Sequence, residues 1–344
     1  MPCMSRSKTL FVAFGLLALF FIGSLSFLLF VPPSQSPSTR TILIKKGTRL
    51  GKISELLHQE GTLRSKQLFV LLATVLGKRG DIKAGEYELT TSMLPMEILD
   101  HLVTGQVKRH LVTIAEGYTL SQIAQVLDNL NIVEKEAFLQ KTGSPLLITS
   151  LGLSDLAGST LEGYLFPETY HLVKEMDPEE VIRMMVHQFK KAFSSDLSEK
   201  ASELGISLRE AVILASIIEK ETPLPAEKPL ISAVFHNRLK RKMPLQSDPT
   251  VIYGIKDFDG NLTRAHLLKP TPYNTYLLAG LPPTPICNPG RDSLFAALNP
   301  APVPYLYFVS RNDGSHFFSA DLEEHNVAVW KYQKGPKKNH LTKK

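Results

Sequence analysis

Apolar and polar positions along the chain change period several times, and each change marks an element. The first run, TLFVAFGLLALFFIGSLSFLLFV (Thr9–Val31), carries no charge. It is long enough to cross a bilayer, which takes about 20 residues. Arg6 and Lys8 precede it, which predicts the N-terminus inside and the bulk of the chain outside. A signal peptide has a shorter apolar region of about 7–15 residues and a small-residue cleavage site. Here the run leads into VPPSQSPSTR, so it reads as an uncleaved anchor followed by a Pro/Ser linker with too little apolar surface to fold.

Beyond the linker the period alternates between that of strands and that of helices. TILI (Thr41–Ile44) predicts a short strand, and Leu50, Ile53, Leu56 and Leu57 recur at helical spacing. SKQLFVLLATVLG predicts a second helix with Ser65 as N-cap, AGEYEL a strand, and LPMEILDHLVTG a further helix. KGTRLGKISELL (Lys46–Leu57) and EGYTLSQIAQVL (Glu116–Leu127) align without gaps, each after a β-branched strand. The second copy carries a capping box, Thr119 with Gln122. Strand–turn–helix units look alike for physical reasons, so the echo has modest weight. Pro178–Gly205 predicts one or two amphipathic helices. Ser207 and Glu210 form another capping box and start a helix that Pro223 stops. Between Ala211 and Ile218 nearly every residue is apolar, which predicts a helix buried all round. AVFHNRL predicts another helix. PYLYFVS and HFFSA predict a hairpin around RNDGS. The long loop-rich stretch between them is of the kind that tends to carry function.

Composition adds little. The net charge of the 344 residues is +6, and the tail KYQKGPKKNHLTKK holds six lysines and no acid. The rest is near neutral, which argues against a nucleic-acid stripe. The tail reads as solvated, with weak attraction to anionic lipid or polymer as the alternative. Cys3 and Cys287 fall on opposite sides of the predicted span, so no disulfide framework or zinc spacing is expected. There is no P-loop, no H-E-x-x-H and no G-x-S-x-G, and the ten histidines show no close metal pairing. No metal or cofactor is expected.

The candidate chemistry is therefore carboxylate chemistry. The buried helix ends LASIIEKET, with Glu219 and Glu221 at its C-terminus. The helix dipole and desolvation both raise a carboxyl there, as a general acid near neutral pH requires. Pairing with Lys220, Lys228 or Arg209 is the structural alternative. Two residues apart, the glutamates leave on roughly opposite faces, and in a helix apolar all round the spacing does not choose between them. LEGYLFPETYHL (Leu161–Leu172) sets Glu162, Tyr164, Glu168 and Tyr170 in alternation with apolar residues. Such rings and carboxylates suit a sugar, and equally a half-buried strand. LQSDPTVIYG adds Gln246, Asp248 and Tyr253, and PYNTYLLAGLPP adds Tyr273, Asn274 and Tyr276. Asp248 before Pro249 can also simply start a turn. Two proline-punctuated loops of this kind favour a groove.

LEGYLFPETY, LASIIEKET, VFHNRLKRKMPLQSDPTVIYG, PYNTYLLAGLPPTPICNPG and PYLYFV together resemble the endolytic murein transglycosylase (YceG-like) family, in order from about Arg40 to Lys331. The resemblance implies a bacterial inner-membrane, single-pass enzyme with its N-terminus in the cytoplasm and its body outside. Such an enzyme cuts nascent peptidoglycan glycan strands internally and ends their elongation. The expected architecture is α+β, with a small LysM-like domain and a larger mixed α/β catalytic domain bearing a loop-rich groove. The expected layout is a stub (1–8), transmembrane helix (9–31), linker (32–39), LysM-like domain (40–108), catalytic domain (109–331) and basic tail (332–344). The family's catalytic glutamate maps to Glu219. The implied reaction is lytic: Glu219 protonates the oxygen between N-acetylmuramic acid and N-acetylglucosamine. It then takes the proton of the muramic C6 hydroxyl, which attacks C1 and leaves a 1,6-anhydro end. That scheme needs no second carboxylate at the ~5–9 Å separation of ordinary glycosidases. Glu162, Tyr164, Glu168, Gln246, Asp248, Asn274 and Tyr276 are the expected sugar contacts. Peptidoglycan synthases are the partners suggested by family and compartment, and no nucleic acid is expected. Cys287 stands where small or polar residues are usual. Arg238 reads as a helix-surface residue, with a stem-peptide carboxylate as its alternative partner. A non-catalytic membrane-anchored scaffold and a hydrolytic muramidase are the competing readings.

Overall fold

The computed structural model describes residues 14–17, 19, 23–24, 26–27, 31–34, 36–193 and 195–335. Among these, no helix is long and apolar enough to cross a membrane. The span expected at Thr9–Val31 lies largely outside the described residues, as do the stub and residues 336–344 of the tail.

The chain folds as two compact units with mixed α and β structure. The smaller comprises Met1–Leu111 with Leu130–Ile132 and His171–Met176. In it β1 (Thr39–Ile44) is followed by α1 (Leu50–Gln59), α2 (Lys66–Val75), β2 (Gly85–Thr90) and α3 (Pro95–Thr104). β1 and β2 pair antiparallel, from Thr39 opposite Thr90 to Ile44 opposite Gly85. This register puts Ile42 and Tyr87 together in a core closed by Leu50, Ile53 and Leu57 of α1, Phe69 and Ala73 of α2, and Ile98 and Leu102 of α3. Each fully buried aliphatic or aromatic side chain stabilises such a core by about 1.5–3 kcal/mol. Tyr87 is wholly buried, and its hydroxyl donates to Lys83 O at 2.8 Å. Ser65 caps α2 as expected, accepting from Leu68 N–H at 3.3 Å.

The larger unit comprises Val112–Asn129, Val133–Tyr170 and Asp177–Lys344. The chain runs through β3 (His110–Thr113) into α4 (Leu120–Asn129), α5 (Lys135–Thr142), α6 (Pro145–Ser150), α7 (Ser154–Ala157) and β4 (Thr169–Leu172). Then come α8 (Pro178–Ala192), α9 (Ser195–Leu204), α10 (Leu208–Glu221), α11 (Lys228–Lys240), α12 (Asp248–Tyr253), α13 (Arg264–Leu268) and α14 (Arg291–Leu298). The hairpin β5 (Tyr307–Ser310) and β6 (His316–Ser319), α15 (Leu322–Val329) and a π-turn at Trp330–Lys334 complete it. α10 is the axis of the unit. All eight residues from Ala211 to Ile218 are buried, and the helix packs on α11, α12 and α14. Its capping box forms as predicted, with Ser207 accepting from Glu210 N–H and Glu210 accepting from Ser207 N–H.

Two local expectations change. The alternation in Leu161–Leu172 suits a sugar site and a half-buried strand equally, and of the strand only Thr169–Leu172 is extended in a ladder. Gly163 turns the chain at φ +91°, against Pro285 and Val212. Asn288 Oδ1 accepts the N–H groups of Gly163 at 3.0 Å and Leu165 at 2.9 Å, the donors a strand partner would otherwise take. Arg238 is not on the surface. It is 6 % exposed, donating to Leu306 O at 2.7 Å and Leu245 O at 2.8 Å, so it ties α11 to its neighbouring loops.

Candidate active site

The C-terminal turn of α10 sends its two glutamates into different surroundings. The Glu219 side chain is 7 % exposed and meets three donors. The ammonium of Lys228, 3 % exposed in the first turn of α11, lies 3.2 Å from Oε1 and 3.3 Å from Oε2. Gly290 N–H donates to Oε2 at 2.9 Å and Ser293 Oγ at 2.7 Å. Gly290 is the N-cap of α14 and Ser293 sits in its first turn. α14 has no side chain of its own at the cap, so the Glu219 carboxylate takes that place. There the helix end offers unpaired N–H groups and partial positive charge.

Glu116, in the turn before α4, lies on the other side of Lys228, with Oε2 4.0 Å from the ammonium and its side chain 52 % exposed. Its carboxylate rests on the face of Gly290, where a Cβ would fall 1.8 Å from Oε1. Burial raises the Glu116 carboxyl above the ordinary range; Glu219 and Asp292 add to the rise and Lys228 opposes it. Lys220 donates to Gly117 O at 3.3 Å. Gly117 turns the chain at φ +77°, a conformation that favours glycine, and a Cβ built there would sit 3.6 Å from Glu219 Cγ.

Glu162 lies beneath this turn and is 4 % exposed. It accepts from Leu120 N–H at 3.1 Å, Tyr253 Oη at 3.1 Å and Asn288 Nδ2 at 3.0 Å, and so caps α4. Burial pushes its carboxyl up to about 7 against the pull of those donors. Asn288 N–H also donates to Tyr118 O at 2.8 Å, and Gly117 N–H to Asn288 O at 3.0 Å. The segment before α14 is thereby locked to the segment before α4, which brings Glu116, Glu219 and Lys228 together.

Glu221 points elsewhere. Part of the residue reaches the surface, but its carboxyl lies inward and accepts from Ser247 Oγ. Burial pushes it up to about 7; Ser247 opposes the rise, Asp248 adds to it and Arg238 opposes it. Around it Tyr276 Oη donates to Asp248 Oδ1 at 2.6 Å, and Arg238 Nη1 to Gln246 Oε1 at 3.2 Å.

The expected site residues therefore fall into separate groups. Glu219 and Glu162 are joined through the Gly117–Asn288 lock. Gln246, Asp248 and Tyr276 gather around Glu221, with Gln246 and Asp248 solvent-facing. Glu168 is exposed, and its carboxylate accepts from the neighbouring Thr169 N–H. Asn274 and Tyr164 are wholly buried and present no surface to a sugar in this conformation. Asn274 spends its amide on Leu267 O and Lys269 O, and Tyr164 packs edge-on to Phe189 at 5.2 Å. Glu116, Gly290 and Ser293 were not among the candidates. Lys228 was weighed only as a structural partner, yet it is the group that links the two carboxylates. Among the described residues no three His, Cys, Asp or Glu side chains group as a metal site. A nearly enclosed carboxylate on a helix N-terminus, beside a buried ammonium and a second carboxylate, is equipped to move protons to and from a bound substrate.

Comparison with known proteins places this arrangement among relatives. The model of the YceG-like family matches residues 42–331. A Bacillus subtilis (strain 168) protein named endolytic murein transglycosylase is 33 % identical over 314 residues, 87 % of this chain and 86 % of that protein. A Streptococcus pneumoniae (strain D39) protein of the same name is 31 % identical over 318 residues, 84 % of this chain; the match spans 57 % of that longer protein. A crystal structure titled as a putative YceG-like protein from Listeria monocytogenes matches with a TM-score of 0.59 and 31 % identity. That match covers 85 % of this chain and 100 % of the other.

Proposed function

The chain belongs to the YceG-like family, and on that premise we propose that it is an endolytic murein transglycosylase. Its substrate is the glycan strand of peptidoglycan, cut internally at the bond from N-acetylmuramic acid to N-acetylglucosamine, which ends strand elongation. The names of its relatives support this reading. Within the chain, the observation that carries it is the Glu219 carboxylate, held by Ser293, Gly290 and Lys228 on the start of α14. Glu219 protonates the glycosidic oxygen. The muramic C6 hydroxyl attacks C1 from within the sugar, and the cut end is a 1,6-anhydro ring. No water is consumed, and the substrate supplies the nucleophile. Gln246, Asp248, Tyr276 and Glu168 are the proposed sugar contacts.

The smaller unit is proposed as the LysM-like, glycan-holding part. The antiparallel pairing of β1 with β2 around α1 and α2 supports this. So does an open hollow of about 380 Å³ edged by Gly51, Ser54, Glu55, Lys66, Gln67 and Val70. A single-pass anchor at Thr9–Val31 in the inner membrane, with the body outside, is supported by the uncharged run. The exposure of Phe14, Leu16, Leu17 and Leu19 agrees with it. Association with peptidoglycan synthases follows from that placement.

The test is product analysis by mass spectrometry on purified glycan strands. Wild type is expected to generate 1,6-anhydro ends. Glu219→Gln is expected to lose at least ~10²-fold in rate, the scale of a general acid, while its thermal unfolding stays cooperative. Full activity in Glu219→Gln would sink the assignment. Ends heavier by one water would point to a hydrolytic muramidase, and binding without new ends to a scaffold.

A further inference from the structure

The lytic reaction requires two proton transfers, and the site holds two carboxylates. The Lys228 ammonium is shared between Glu219, at 3.2 Å, and Glu116, at 4.0 Å. The two are unlike. Glu219 is almost closed off by Gly290, Ser293 and Lys228, whereas Glu116 is half exposed on the solvent side. Gly290 is the contact that allows this: its N–H holds Glu219 while its bare Cα receives the Glu116 carboxylate.

We propose that Glu116 is a second catalytic carboxylate, the base that takes the C6 hydroxyl proton while Glu219 acts as the acid. This rests on the lytic reading above and divides its chemistry between two residues. The step requires Glu219 to carry a proton and Glu116 to be ionised when substrate is cut. The bond from C1 to the leaving oxygen breaks, and that oxygen receives the Glu219 proton. The C6 oxygen bonds to C1, and its proton passes to Glu116. The cycle ends with Glu116 protonated and Glu219 ionised. Lys228, in reach of both, returns the proton by giving one to Glu219 and taking one from Glu116. Protons and charge balance with no outside reagent.

The charges facing Glu116 agree with such a role. Glu219 comes from α10, Lys228 from α11 and Asp292 from α14, and Lys220 donates to Gly117 O. Two carboxylates around one ammonium compete for a single positive charge, so ionisation of one disfavours ionisation of the other. A base whose proton affinity is raised in this way becomes effective when its partner carries charge.

The experiment uses the full chain in detergent with purified glycan strands, counting 1,6-anhydro ends across pH 4–9. Glu116→Gln is expected to lower kcat by ~10²–10³-fold with KM changed less than about threefold, and to remove the acid limb that reports the ionised base. Glu116→Ala is expected to regain turnover with added formate, which supplies a small carboxylate in the vacated space; a purely structural role would not respond. Retention of wild-type kcat and both pH limbs in Glu116→Gln would overturn the proposal. A loss in Glu116→Ala that formate does not restore would overturn it too. If wild type itself forms no anhydro ends, the lytic reading fails first. If wild type forms them and Glu116→Gln does so equally fast, only the division of labour fails.

Discussion

Gly290→Ala tests the packing of the two carboxylates without altering either. An added Cβ would fall 1.8 Å from Glu116 Oε1 and 2.0 Å from its Cδ, so the carboxylate has to leave. The three atoms nearest the added Cβ all belong to Glu116. Gly290 has φ −77° and ψ 176°, which alanine adopts freely, and the half-exposed Glu116 side chain can swing outward. Replacing glycine by alanine at an N-cap costs about 0.5–1 kcal/mol. The lost freedom of the unfolded chain returns about 0.4–1 kcal/mol. The net change in stability is therefore expected within about 1 kcal/mol, with the N–H to Glu219 kept. Activity is expected to fall about as far as in Glu116→Gln, by ~10²–10³-fold. Because both changes remove the same group from the same place, the double variant should be no slower than either single one. The assay is the rate of anhydro-end formation by liquid chromatography and mass spectrometry, beside thermal unfolding of each variant. Wild-type activity in Gly290→Ala would refute the reasoning. So would a double variant whose loss is the product of the single losses.

Two further predictions concern stability. Glu162→Ala leaves Leu120 N–H and Tyr253 Oη without their acceptor, while Asn288 Nδ2 keeps Tyr118 O; at about 1–3 kcal/mol for each buried unsatisfied group, partly relieved by rearrangement, a loss of about 2–4 kcal/mol in denaturant unfolding is expected. An unchanged midpoint would show that the cap on α4 carries no weight. Glu221 is held at about 7 by burial, above its ordinary 4.5. Between those values the folded chain keeps a proton that the unfolded chain has released, so stability is fullest below the lower value and falls as pH rises to the upper one. Glu221→Gln, which cannot titrate, is expected to shrink the fall in urea midpoint between pH 5 and pH 8, by up to about 3 kcal/mol; an identical slope would show that Glu221 does not contribute.

What the sequence made legible was local. Ser65, Ser207 with Glu210, and Thr119 with Gln122 announce helix starts because a cap and its partner lie within three residues. The opposite exits of Glu219 and Glu221 follow from helical geometry, and the structure sends one to Lys228 and the other to Ser247. What stayed hidden is set by distant pairings. Glu219 meets Gly290 and Ser293 more than seventy positions away, and Asn288 takes Gly163 and Leu165 out of a strand from still farther along the chain. No periodicity encodes such contacts, so nothing singles out Glu116, and Asn274 reads as a loop ligand. Arg238 was misread for the same reason: the carbonyls of Leu245 and Leu306 that make its burial tolerable lie outside its helix.

The borrowed cap of α14 has a consequence for how such proteins can change over generations. An ordinary catalytic acid can drift away once its reaction is no longer needed, because nothing else depends on it. Here the same carboxylate closes a helix that begins on glycine. A descendant that gave up cleavage while keeping its shape would need a new cap, most simply serine or aspartate at position 290. That side chain would fill the space Glu116 occupies. Positions 116, 219 and 290 should therefore change in concert across lineages, and under the proposed mechanism members that cut are expected to keep a glycine at 290 beside the two glutamates.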